Sequence, residues 1–175
     1  MTKVESGRPE ANEYAEYYSR YTGRIPGTDI VPILEKQLET TLAVLKKIDE
    51  GKAEFRYEPG KWTIKQLLGH VIDTERVFAY RAMVFSRNDT TALPGFDQDK
   101  WGEQATYSGV SLAEVTAEFE AVRRATIALF RNIEPAAWTR RGTANGKEVT
   151  VRGLAFISAG HVDHHIEILK SRYLK

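Results

Sequence analysis

A chain of 175 residues suits one domain with a core of useful size. With 42% hydrophobic and 28% charged residues it has the balance of an ordinary soluble protein, and a formal net charge of +1 supplies no global field for nucleic acid. The absence of cysteine excludes disulfides, thiolate metal sites and a cysteine nucleophile, which leaves histidine and carboxylate as the strong metal ligands.

The N-terminus is polar and no run of about 18 apolar residues occurs, so the expectation is a cytoplasmic protein with no membrane span. Residues 1–28 hold Gly7, Pro9, Gly23, Pro26 and Gly27 beside a cluster of tyrosines, Tyr14, Tyr17, Tyr18 and Tyr21. They predict an irregular arm with a short helical turn around residues 11–18, its tyrosines packing on the body or lining a pocket mouth. Residues 29–175 form the domain proper. Asp29 precedes a periodic run from Ile30 through Leu34, Leu38, Leu42 and Leu45 to Ile48, a first long helix that should end near Gly51.

A Pro59-Gly60 turn delivers Trp62 to the next helix, with Thr63 as its N-cap and an apolar stripe from Ile64 to about Phe85. His70 lies beside that stripe with Thr74, Val77 and Arg81. Glu75 falls inside it, where a carboxylate needs a partner; a buried pairing with an arginine is favoured over catalysis. Residues 86–110 make the longest connection, of the length used for crossovers and functional loops. Ser111 with Glu114 reads as a capping box for a third helix that stops before Pro135. The Asn145-Gly146 pair suggests a short hairpin over residues 138–149, and Thr150 caps a last helix. Four long amphipathic helices predict an all-α bundle.

That last helix carries three of the four histidines, in Gly160-His161-Val162-Asp163-His164-His165. At about 100° per residue His161 and His165 share one face, near the centre of the inward stripe, with His164 at its margin. A lone histidine on such a face is usually a core residue held by hydrogen bonds. A buried pair one turn apart is harder to satisfy, because each neutral ring has two nitrogens to partner and an orphaned one costs about 1–3 kcal/mol. A metal ion removes that cost.

Taken together, Pro59-Gly60-Lys61-Trp62-Thr63, then His70 with Asp73 and Glu75, then Leu93-Pro94-Gly95-Phe96-Asp97, and finally His161-x-x-His164-His165 resemble the DinB/YfiT-like superfamily, most closely its DinB_2-type branch. The resemblance spans roughly residues 28–174. It implies a four-helix bundle with a long crossover between helices 2 and 3, and a divalent metal, zinc or nickel, on His70, His161 and His165. His164 takes the place of an extra histidine that this motif often holds. The arm matches no motif of the family.

Three histidines leave positions open on a metal, which suits catalysis better than a structural role. Such an ion lowers the pKa of bound water from about 15.7 toward 7, as hydrolysis needs. Glu75, Asp73, Asp163, Asp97 and Asp99 are candidate general bases among which the sequence does not choose, so no catalytic residue is assigned. The family resemblance also implies transferases for low-molecular-weight thiols, for which a metal-held thiolate would be the nucleophile. Arg81, Arg152 and Arg172 are candidates to hold a substrate carboxylate, although a salt bridge or a solvated surface is the commoner role for each. The partner expected is a small molecule, with a homodimer as the assembly. The contrasting expectation is a non-catalytic, metal-stabilised binding or stress-response module that acts as a dimer.

Overall fold

The computed structural model describes residues 5–175. Its arm passes through two 3-10 turns, Ala11–Glu13 and Glu16–Tyr18, into a single helical turn, α1 (Ser19–Thr22). Each long helix that follows begins where a side chain takes up its first free N–H groups, as helix ends require. Asp29 accepts from Val31 N–H to start α2 (Ile30–Leu45). A reciprocal Thr63–Gln66 capping box starts α3 (Ile64–Ser86), and Ser111–Glu114 does the same for α5 (Leu112–Arg131). Thr150 accepts from Gly153 N–H at the head of α6 (Val151–Ile168).

Helix α2 stops at Leu45, several residues before the expected end near Gly51. The N–H groups of Lys47 and Ile48 bond to the carbonyls of Val44 and Leu45, tightening the last turn, and Asp49 then caps a separate 3-10 turn at Glu50–Lys52. Ile48 still packs against the core, so the apolar period outlasts the helix that produced it. At the other end of the chain α6 runs on into a π-helical turn, Leu169–Tyr173, in which Leu174 N–H reaches Leu169 O.

The crossover from α3 to α5 is less irregular than its composition predicts. It contains a seven-residue helix, α4 (Gln98–Gln104), which Asp97 starts by accepting the N–H groups of Asp99 and Lys100. Upstream of it, Leu93 is threaded onto the hairpin, donating to Thr143 O at 2.9 Å and accepting from Asn145 N–H at 3.0 Å. The hairpin pairs β1 (Arg141–Ala144) with β2 (Lys147–Thr150) antiparallel. Asn145 and Gly146 both have positive φ, 51° and 70°, as the expected two-residue turn requires.

Helices α2, α3, α5 and α6 form the bundle, with α3 packed between α5 and α6. Leu34, Leu68, Ile72, Phe85, Phe119, Phe130 and Phe156 are sealed in its core, each stabilising the fold by about 1.5–3 kcal/mol through burial. Among the described residues no helix is long and apolar enough to cross a membrane.

Candidate metal centre

His70 projects from α3, and His161 and His165 project one turn apart from α6, the helix against which α3 packs most extensively. One ring nitrogen from each of the three, positioned as a ligand would be, lies within 4.8 Å of the others. The Nε2 atom of His161 is the hub, 3.1 Å from His70 Nε2 and 3.1 Å from His165 Nε2.

Aromatic rings enclose the group. Trp62, delivered by its turn, packs on His70 with ring centroids 4.8 Å apart, while Tyr21 and Phe78 meet His161 edge-on at 5.5 and 6.1 Å. Burial holds the His70 ring down to about pH 4 and the His165 ring down to about pH 3; for His165 the neighbouring His70 and His164 add to the effect. His161 is depressed well below the ordinary range, first by burial and then by His165 and His70. All three rings are therefore neutral at pH 7, the state in which imidazole offers a lone pair.

The arrangement is poorly satisfied by protein alone. One ring nitrogen presents either a proton or a lone pair, yet His161 Nε2 faces two others at hydrogen-bond distance. The buried Nδ1 of His165 has no partner among the described residues. Three neutral nitrogens converging on one point suit a borderline cation, whose nitrogen bonds run about 2.0–2.1 Å. His164 stays outside the group, its ring 5.5 Å from that of Tyr21.

The candidate bases scatter. Glu75 is bound through both oxygens by Arg123, the buried arginine partner expected for it, at 2.8 Å each. Asp163 accepts from Gln37, Asp73 from Arg76, Asp97 is spent as the α4 cap, and Asp99 is exposed. The cavity that reaches His161, about 390 Å³ in volume, has no Asp or Glu among its described lining residues. Its wall includes Tyr17, Tyr18 and Tyr21 from the arm, Thr74, Phe78 and Arg81 from α3, and Phe96 from the crossover. Tyr14 is absent from that wall, and its hydroxyl accepts from Thr22 instead. Of the three arginines considered for a substrate, Arg152 is bound by Glu13, and Arg172 is exposed and does not line the cavity.

Sequence reasoning left Trp62 and Thr74 without a role at the site. Thr74 Oγ1 lies 3.5 Å from His70 Nδ1, and its signal was its position one turn beyond His70. Trp62 stood in the Pro59-Gly60-Lys61-Trp62-Thr63 motif, but its packing on His70 depends on how the preceding loop folds back, which the motif does not give.

Residues 33–169 match the family model described as "DinB superfamily". The chain belongs to the DinB superfamily. This DinB chain is 27% identical over 73 residues to a protein of Oceanobacillus iheyensis described as a "Putative metal-dependent hydrolase", a match covering 39% of this chain and 42% of that one. It thus spans less than half the length of that relative. Among solved structures it resembles YfiT from Bacillus subtilis, described as "a probable metal-dependent hydrolase with an unusual four-helix bundle topology". The TM-score is 0.71 at 17% identity, over 93% of this chain and 91% of the other. That likeness shows a shared fold.

Proposed function

We propose that this DinB protein is a divalent-metal-dependent enzyme that processes a small molecule in the cavity beside His161, with His70, His161 and His165 as the ligands and zinc or nickel as the ion. The carrying observation is the convergence of three neutral imidazoles at the edge of a cavity walled by aromatic rings. A divalent cation held there supplies a Lewis acid and lowers the pKa of a water or thiol that reaches it.

The protein's own residues prepare the place. Helices α3 and α6 hold the rings, Thr74 steadies His70 through Nδ1, and Trp62, Phe78 and Tyr21 thin out water around them, which strengthens every electrostatic interaction inside. Hydrolysis is the reaction class that the descriptions of both relatives support. Transfer to a low-molecular-weight thiol is the second reading. It is favoured by the lack of a carboxylate among the described cavity-lining residues, since a thiol already ionised needs no general base at that point.

Elemental analysis of the purified protein tests the proposal. One divalent ion per chain is expected, lost in His165→Ala and retained in His164→Ala; a protein that neither contains nor takes up metal would refute it. Turnover of esters or amides by the loaded protein supports hydrolysis, and turnover of thiol adducts alone supports transfer. Metal whose removal unfolds the chain, with no turnover of either kind, would instead mark a metal-stabilised binding module.

A further inference from the structure

Arg81 is only 4% exposed, yet its charge has no protein counter-ion: among the described residues no carboxylate lies within 4.0 Å of it. Its Nη2 donates to Pro94 O at 2.7 Å, and of the five N–H groups that a guanidinium carries this is the one satisfied side. The other nitrogens are not sealed off, for neither Nε nor Nη1 is among the buried unpartnered atoms. Arg81 lines the cavity that also reaches Thr74 and His161.

Burying an unpaired cation is costly, and a fold that needed only packing there would do as well with Met or Leu. Lys147 adds a second positive charge to the same wall, which has no acidic residue among those described. From these observations we propose that Arg81 is the anchor for a carboxylate on the substrate, with Lys147 at its outer side. This inference rests on the reading of the cavity as the substrate site.

Geometry sets the kind of molecule. Thr74 and Arg81 are seven residues apart on α3, about 10 Å along one face of the helix. The bound molecule therefore carries its carboxylate at one end and its reacting group at the other, near the histidines, with a span shorter than the helix rise because a long side chain such as Arg81 leans back along α3. Its middle is apolar or aromatic, because Phe78 stands between Thr74 and Arg81 on α3 and Tyr18 packs edge-on against it at 6.3 Å, both lining the same cavity. The Phe96 ring sits 6.0 Å from the Arg81 guanidinium carbon and closes one side of the anchor. One planar fork with a single lysine matches a carboxylate, which two parallel N–H groups can grip.

Isothermal titration calorimetry with 4-phenylbutyrate, 4-phenylbutyramide and inorganic phosphate tests this on the full chain, metal-loaded and chelator-treated. The carboxylate should bind and its neutral amide should bind about ten- to hundredfold more weakly, the range for losing a charged hydrogen bond. Arg81→Met should weaken 4-phenylbutyrate by a similar factor while keeping metal content and melting temperature, and Arg81→Lys should fall between. Equal binding of acid and amide, or a preference for phosphate, would overturn the assignment. So would carboxylate binding that survives Arg81→Met and disappears in His165→Ala, since the anion would then sit on the metal. If Arg81→Met fails to fold, the acid–amide pair on the unaltered protein and Arg81→Lys still decide. Carboxylate binding that depends on Arg81 in chelator-treated protein stands even if the three histidines hold no ion, so the two readings fail separately.

Discussion

Arg123 and Arg81 are both buried arginines, and their surroundings differ in kind. Arg123, on α5, gives Nε and Nη2 to the two oxygens of Glu75 on α3 and Nη1 to Gln37 Oε1 on α2 at 2.6 Å. Gln37 in turn donates to Ala159 O at 2.8 Å and Asp163 Oδ1 at 2.6 Å on α6. One closed network thus ties all four long helices together. Arg81 has a single backbone acceptor and an open cavity. The same helices that are locked at Glu75 and Asp163 present His70, His161 and His165 a turn or so away, so the closed region fixes the frame and the open region is left free to meet a ligand.

The largest effect expected from disturbing this contrast lies on the closed side. Glu75→Leu strands Arg123 as an uncompensated buried charge and should cost about 3–5 kcal/mol in urea denaturation. A cost below about 1 kcal/mol would mean that the network is no more than a surface ion pair in its effect.

Acid should come next. The pKa values of His70 and His165 are depressed to about 4 and about 3 from an ordinary value of 6.5. Between those limits the unfolded chain takes up protons that the folded one refuses. Stability is therefore full above about pH 6.5, falls as pH drops below it, and levels off beneath the folded values. The slope is about 1.4 kcal/mol per pH unit for each such histidine. Urea titrations of the chelator-treated protein between pH 7 and 5 check it, and His165→Ala should make the slope shallower. A flat profile would show the rings to be far better solvated than their packing suggests.

How much of this was legible in the sequence follows from the range of each interaction. Caps are local, so Thr63, Ser111 and Thr150 announced their helices, and Asn145-Gly146 its turn. The apolar stripe also put Glu75 inside and so called for an arginine. That the partner is Arg123 depends on how helices pack, which no periodicity encodes. The pairing of His161 with His165 could be read from one helical wheel, whereas the approach of His70 came through family resemblance. The α4 turn stayed hidden because its one signal, Asp97, precedes a stretch with little apolar period, Gln98-Asp99-Lys100-Trp101. The tyrosines pointed to an arm packed on the body, and Tyr21 does meet His161 and His164 of α6. The rest of that hold stayed hidden because it runs through Glu13 with Arg152, Arg24 with Glu167, and Gly160, none of which belongs to a periodic pattern.

That hold gives a smaller test. A Cβ on Gly160 would lie 2.0 Å from the backbone oxygen of Tyr21, so Gly160→Ala must push the arm away. The expected cost is about 1–3 kcal/mol, as for overpacking elsewhere. Tyr21 should become more exposed, which hydrogen exchange over residues 17–24 would register. Metal content should be kept, because the arm touches the His161 ring without supplying a ligand.

The smallest effect belongs to Arg81→Met, and it is the one that sharpens the contrast most. The substitution removes a charge that the fold does not neutralise and leaves one carbonyl, Pro94 O, without its donor. The first change favours the folded state and the second opposes it, so the net shift should stay within about 1 kcal/mol of zero. Arg123→Met, which orphans Glu75 and Gln37 together, should cost about 3–5 kcal/mol in the same assay. Equal losses in the two variants would mean that Arg81 serves the fold as Arg123 does. A near-neutral Arg81→Met beside a severe Arg123→Met would leave ligand binding as the reason for a buried, unanswered cation.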